Sequence, residues 1–255
     1  MPDSQPGTVL ITGAAKRVGR AIAEDLAARG FSVAIHYGGS EKEAAGLVGD
    51  IEANGGKAAA FQADLADSAA LSGLVEAAAA KLGPLTCLIN NASAFEDDTL
   101  ENLDEESWAL HLDTNLKAPA FLAKAFTAQL PESAQGNIIN IIDQRVWRLT
   151  PRFFSYTLSK AGLWTMTQTL AQALAPRIRV NGIGPGPTLK NARQEEADFA
   201  RQQEALILQR GPDLAEITAA IRFILESPSL TGQMIALDGG QHLAWETPDV
   251  VGIPE

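Results

Sequence analysis

Tyr156 and Lys160 stand four residues apart in the stretch YTLSK, inside a helical pattern, so a phenol and an ammonium share one helix face. Thirteen residues before the tyrosine stands Asp143, at the end of the β-branched apolar run 138–142 (IINII). A strand that delivers a carboxylate at its carboxyl end, followed by a helix presenting a phenol and an ammonium, is an arrangement for moving protons. A free phenol is a poor acid at neutral pH, with a pKa of about 10. An ammonium ~4 Å away, at an effective dielectric of ~20, is worth roughly 4 kcal/mol, which would carry Tyr156 toward neutrality. The plainer alternatives are a chance surface pair of Tyr156 and Lys160, and an Asp143 that only caps a helix or pairs with Arg145.

These side chains need a scaffold, and the rest of the chain reads as one. Strands are expected at 8–12 (TVLIT), 31–36 (FSVAIH), in KAAAFQADL, at LTCLIN, at 138–142, in RIRVNGIGPG and at 232–238. Between them lie a helix over 18–29 closed by Gly30 and a second helix after Ser40. Ser40 is its N-cap and Glu43 completes a capping box. An Ala-rich helix follows over 68–82, then a long helix over 104–130 stopped by Pro131. After the helix of Tyr156 come two helical pieces within 192–226, divided at Gly211 and Pro212. Continuously apolar strands alternating with helices indicate a doubly wound α/β (Rossmann) fold: a seven-stranded parallel sheet with helices on both faces, in one domain over 1–255. Residues 1–7 and 244–255 read as tails.

In such a fold the turn after the first strand binds a dinucleotide, because backbone N–H groups and a helix N-terminus face the pyrophosphate. Here that turn is TGAAKRVGRAIA. It has Gly13 and Gly19, and Arg17 stands where an intermediate glycine is expected. An NAD site places an acid at the end of strand two, on the ribose 2′-hydroxyl. That place reads His36, Tyr37, Gly38, Gly39, Ser40, with no acid before Glu41. The missing carboxylate, with Lys16 and Arg17 in the first turn, favours NADP; the bland alternative is that both cations are solvated loop charges. Asp143 then selects the chemistry. An ionised carboxylate cannot donate to an oxygen where negative charge develops, which disfavours ketone reduction. A ring C=N bond takes hydride at carbon and a proton at the adjacent nitrogen, which a carboxylic acid or a Tyr–Asp relay suits.

Composition narrows the classes. Of 255 residues, 46% are hydrophobic and 20% charged, ordinary for a globular chain. A net charge of −11 opposes nucleic-acid binding. No apolar run is long enough for a membrane span, and the start MPDSQPG lacks a basic leader, so a cytoplasmic protein is expected. The single Cys87 lies in an apolar context and reads as structural. His36, His111 and His242 show no metal-ligand spacing, so no metal is expected, and Asp238, Gly239 and Gly240 read as a turn. Trp147, Arg145, Arg148 and Arg152, in the loop before the tyrosine, suit an anionic or flat heteroaromatic ligand, or equally a subunit contact.

With these residues in place the chain resembles the short-chain dehydrogenase/reductase family over essentially its whole length. The matching motifs are TGAAKRVG, the Asp64 loop QADLAD, NNAS at 90–93, Asn115 in DTNLKAP, YTLSK and PGPT at 185–188. Three departures, Arg17, NNAS followed by Phe95, and Asp143 in place of a serine, resemble the pteridine reductases and bacterial dihydromonapterin reductases. That resemblance implies that Arg17 reaches cofactor phosphate and pterin, that Phe95 stacks the pterin against the nicotinamide beside Ser93, and that Asp143 and Tyr156 transfer protons. Lys160 would hold the ribose hydroxyls and Asn115 a water joining the lysine to solvent. NADP(H) contacts are expected from Gly13, Lys16, Arg17, Val18, Gly19, His36, Tyr37, Ser40, Asp64, Leu65, Asn91, Ala92, Ser93, Tyr156, Lys160, Pro185, Gly186 and Thr188. Residues 187–210 would cover the substrate, a small pterin-like heteroaromatic, and a homotetramer is implied. The function expected is NADPH-dependent reduction of a dihydropterin or dihydrofolate. The alternatives are a carbonyl reductase acting on a 3-oxoacyl or other ketone, and a non-catalytic NADP-binding sensor.

Overall fold

Seven short apolar runs become strands: β1 (Thr8–Ile11), β2 (Ser32–Tyr37), β3 (Lys57–Gln62), β4 (Leu85–Asn90), β5 (Gly136–Ile141), β6 (Ile178–Pro185) and β7 (Met234–Leu237). The structure, a computed structural model, describes residues 7–191, 193–247 and 250–252. All neighbouring strands are parallel, in the order β3-β2-β1-β4-β5-β6-β7. The winding reverses between β1 and β4, and a crevice opens at such a switch point beyond the carboxyl ends of the strands. Ile11 lies level with Ile35 and Ile89, and Asn90 with Asn140, so the strand ends form one floor.

Side chains alternate between two cores. Val9 and Ile11 face α1 (Arg17–Ala28), α2 (Glu41–Ala53) and α8 (Leu214–Glu226), while Leu10 faces α3 (Ser68–Leu82), α5 (Ala118–Gln129) and α6 (Phe154–Leu174). The remaining helices are α4 (Glu105–Leu112) and α7 (Glu196–Glu204). Gly30, at φ +86°, closes α1 as expected, its N–H donating to the Ala27 carbonyl. A buried polar ladder fixes α6 on the sheet: Asn90 donates to Asn140 (2.8 Å), which donates to Thr167 (2.8 Å).

Several expectations need correction. The helix expected over 104–130 is two helices joined by a π turn, Asp113–Lys117, which holds Asn115. Residues 113–117 (DTNLK) contain no Gly or Pro, so no breaker marks the turn in the sequence. Ser40 makes no side-chain cap, and Glu43 pairs with Lys16, so the expected capping box is not formed. The first piece within 192–226 is helical only from Glu196 to Glu204. Of the two tails, residues 1–6, 248–249 and 253–255 lie outside the described residues. No helix among the described residues is long and apolar enough to cross a membrane.

Candidate active site

A cavity of about 860 Å³ occupies the crevice at the switch point. Its first wall is the turn after β1. Gly13 has φ +61°, and a Cβ there would come within 3.0 Å of the Ala92 backbone. A Cβ on Gly19 would fall 2.4 Å from the Gly13 carbonyl oxygen. Both glycines are therefore demanded by the turn's own packing. The Gly13 N–H donates to Nδ1 of His36 (3.1 Å), whose Nε2–H donates to the Ala63 carbonyl (3.2 Å). Burial pushes the His36 pKa down, the Ala63 carbonyl opposing it, which favours this neutral tautomer. His36 thus lines the cavity as the brace of the turn, and the Gly13 amide is already committed.

The two cations of this turn are also committed. Lys16 pairs with Glu43 at 2.7 Å, and the Arg17 guanidinium donates to the carbonyls of Lys190 (3.0 Å) and Leu189 (3.2 Å). Arg17 has φ +54°, a left-handed conformation, so the position that lacks its expected glycine keeps a glycine's backbone. Asp64 lines the cavity and accepts from the Ala66 N–H (2.9 Å). Asn91 donates to the Thr12 carbonyl (2.9 Å), tying the NNAS loop to β1.

The second wall carries the proton-handling groups. Asp143 leaves β5, accepts the Arg145 N–H (2.8 Å) and so caps the 3-10 turn Gln144–Val146. Its other oxygen accepts the Tyr156 hydroxyl (2.7 Å). Capping and proton contact coexist, and Asp143 meets Arg145 through the backbone. Tyr156 is buried, and burial, then Asp143, hold its pKa well above the ordinary phenol value. The expected lowering toward neutrality is absent. Lys160 shares the helix face but extends under the end of β5, where Nζ donates to the Ile141 carbonyl (2.9 Å) and lies 5.8 Å from the phenol ring centroid. Burial lowers the Lys160 pKa to about 8. Asn115 does not line the cavity. Its amide N–H groups donate to the Ala94 carbonyl (3.0 Å) and to Ser159 (3.0 Å), and its oxygen accepts the Ala94 N–H (2.8 Å).

Phe95 stands between this cavity and a smaller one of about 290 Å³. One ring face is stacked on Phe153 (4.5 Å between centroids, 5° between planes), and Tyr156 meets it edge-on (4.7 Å). Arg193 lies 5.3 Å from the Phe95 centroid and Arg145 4.8 Å from that of Phe153. Thr188, with Pro187, Leu189, Gln194 and Phe199, lines the small cavity, so the loop over 187–210 does cover it. Thr188 does not reach the large cavity, and neither do Tyr37 or Ser40. Val18, Leu65, Ala92, Ser93, Pro185 and Gly186 do.

Of Trp147, Arg145, Arg148 and Arg152, only Arg145 lines the small cavity. Arg148 holds the Gln241 carbonyl (2.9 Å), Arg152 pairs with Asp97, and Trp147 packs on Trp164 and His242. Phe153, Gln144 and Arg193 were not legible as site residues. An aromatic three residues before Tyr156 is the only trace Phe153 leaves. Elsewhere, Asp238 accepts the N–H groups of Gly240 (3.0 Å) and His242 (2.8 Å), a turn as expected, and burial pushes the Cys87 thiol up to about 12. Among the described residues no His, Cys, Asp and Glu side chains are grouped as a metal site.

A doubly wound sheet with a glycine turn after β1 and a buried tyrosine and lysine beyond β5 defines a dinucleotide-dependent oxidoreductase fold, and the chain belongs to the short chain dehydrogenase family, whose model matches residues 7–200. It is similar to the alternative dihydrofolate reductase 1 (FolM) of Brucella canis, solved in complex with NADP. The identity is 53%, over 97% of this chain and 98% of that one, with a TM-score of 0.94. A short chain dehydrogenase of Burkholderia cenocepacia, also solved with NADP, is 33% identical over 92% of this chain and 97% of that one, with a TM-score of 0.85. A curated relative, the 3-oxoacyl-[acyl-carrier-protein] reductase FabG of Staphylococcus epidermidis, is 31% identical over 92% of this chain and 99% of its own length.

Proposed function

We propose that the protein is an NADPH-dependent reductase of a pterin-type C=N bond, with a dihydropterin or dihydrofolate as acceptor. The observation that carries this reading is the Asp143 carboxylate accepting the Tyr156 hydroxyl at 2.7 Å. A carboxylate there repels the oxyanion of a ketone reduction, but after taking up a solvent proton it can pass that proton to a ring nitrogen. The 53% identity to an alternative dihydrofolate reductase supports the same choice. The cavity suits NADP(H): it lies at the switch point, its volume fits a dinucleotide site, and β2 ends on Tyr37, Gly38 and Gly39 without an acid. Bound there, the cofactor supplies hydride to the ring carbon.

The chain's own residues do the rest. Lys160 spends one N–H on the Ile141 carbonyl and keeps donors for the ribose hydroxyls. Phe95, which lines the cavity, offers an aromatic contact to a flat ring. Tyr156 keeps its own proton and orients Asp143 by donating to it, and the Tyr–Asp pair relays a solvent proton to the ring nitrogen, which leaves both groups as they began. Asn115 holds the NNAS loop through Ala94, which keeps that platform in place.

The enzyme acts in the cytoplasm as a homotetramer. Supporting subunit pairing, Trp108, Leu110, Phe121 and Leu158 are exposed apolar residues on α4, α5 and α6. A second reading, ketone reduction of a 3-oxoacyl substrate, is favoured by the 31% identity to FabG. NADPH oxidation with dihydrobiopterin, dihydromonapterin, dihydrofolate and a 3-oxoacyl thioester separates the two. Turnover of a pterin substrate is expected, and good ketone turnover with none of the pterins would establish the second reading instead.

A further inference from the structure

Beneath the Phe95 loop lies a polar cluster that the cavities do not expose. His111 and Ser155 are fully buried and Asp98 is 2% exposed. The Glu96 N–H donates to His111 Nε2 (2.9 Å), so the imidazole carries its proton on Nδ1 and donates it to Ser155 Oγ (2.6 Å). The Ser155 hydroxyl then donates to Asp98. The residue types are those of a nucleophilic triad, but the polarity is reversed. The serine's proton goes to the carboxylate and the base nitrogen is occupied, so no nucleophile is activated.

What the cluster does is join two segments. Asp98 docks on the first turn of α6, its carbonyl accepting the Phe154 N–H (3.1 Å) and its carboxylate the Ser155 N–H (3.2 Å). The residue preceding that helix, Phe153, supplies no side-chain cap, so Asp98 takes this place from another segment. One residue beyond Ser155 is Tyr156, and one residue before Glu96 is Phe95. The chain from Ala94 to Asp98 is held at Ala94 by Asn115, at Glu96 by His111 and at Asp98 by Ser155.

We infer that Asp98, His111 and Ser155 form a positioning clamp that sets the Phe95 ring against the Tyr156 phenol, and that His111 thereby governs substrate affinity without touching substrate or cofactor. The inference rests on the proposed reading for its kinetic consequences only. Acid opens the clamp, because an imidazolium has N–H on both nitrogens and cannot accept from Glu96. The groups facing His111 are Asp98 and Glu96 from the loop, the Ser107 carbonyl of its own helix, and Ser155 and the Tyr156 ring from α6. Burial outweighs the two carboxylates and holds the pKa below the ordinary histidine value.

The test pairs kinetics with hydrogen exchange on the full-length protein. In His111→Leu, backbone exchange over residues 94–98 should accelerate at least tenfold. The Michaelis constant for dihydropterin should rise by about tenfold, the effect of one lost buried hydrogen bond, with kcat and NADPH affinity within about twofold. His111→Gln keeps an acceptor and a donor. It should restore the Michaelis constant near pH 7.5 and remove its rise in acid, which the wild type shows. Unchanged exchange over 94–98 in His111→Leu overturns the clamp whatever the substrate. An equal loss in kcat and NADPH affinity, or a wild-type acid profile in His111→Gln, also overturns it. If the wild type reduces no pterin, the proposed function fails and the clamp is decided by exchange alone.

Discussion

The two walls of the crevice are built on opposite plans. The wall after β1 satisfies its polar groups on other segments of the protein: the Gly13 amide on His36, Lys16 on Glu43, Arg17 on two loop carbonyls. The wall beyond β5 keeps ionisable groups out of water with few partners: Tyr156 on Asp143, Lys160 on one carbonyl. The first wall is therefore a shaped surface whose geometry the backbone sets. The second is where burial shifts titrations, upward for the phenol and downward for the ammonium. Shape and proton chemistry are thus divided between the two sides of the switch point.

The first wall breaks at His36. Replacing it by Leu strands the Gly13 N–H, which should cost ~2 kcal/mol and lower the melting temperature by roughly 5 °C. The pH dependence has a definite sign. His36 is held below its ordinary value in the fold, so below pH ~6.5 the unfolded chain takes up a proton that the native state refuses. Stability should fall as pH drops from about 6.5, and His36→Leu should flatten part of that slope in melts between pH 5 and 7.5. A variant as acid-sensitive as the wild type would remove His36 from the brace.

The second wall titrates in the other direction. With Lys160 lowered to about 8, the ammonium is lost as pH rises through that value. The free-enzyme profile of kcat/KM should show an alkaline limb near 8, and a profile flat to pH 10 would contradict this placement. Stability carries the opposite sign. Between pH 8 and 10.5 the unfolded chain binds the extra proton, so the fold should gain from shedding a buried charge. The smallest effect belongs to the exposed pair of Lys16 and Glu43, which is screened by solvent. Glu43→Gln frees the ammonium for a cofactor phosphate, and NADPH affinity should improve by about twofold.

Much of this was legible because it depends on spacing. Apolar runs alternating with helical stretches gave the seven-stranded parallel sheet, and the four-residue spacing placed Tyr156 and Lys160 on one face. Distance along that face was not legible. Lys160 reaches the Ile141 carbonyl, and burial, then Asp143, raise the phenol where a nearby ammonium was expected to lower it. Pairings between distant segments were equally hidden. No periodicity connects His36 to Gly13, His111 to Glu96, or Phe153 to Phe95, since each depends on how the loops pack. The π turn at Asn115 escaped because no Gly or Pro interrupts residues 113–117.

The central claim is that Asp143 directs the proton to nitrogen. Asp143→Ser tests it most directly, because a serine can still cap the Arg145 N–H and leave the turn folded. The measurement is kcat/KM of this variant with a dihydropterin and with a 3-oxoacyl thioester, each against NADPH. The account predicts a loss of about 10²-fold on the pterin, with ketone turnover kept or increased. Undiminished pterin reduction by the serine variant would contradict it.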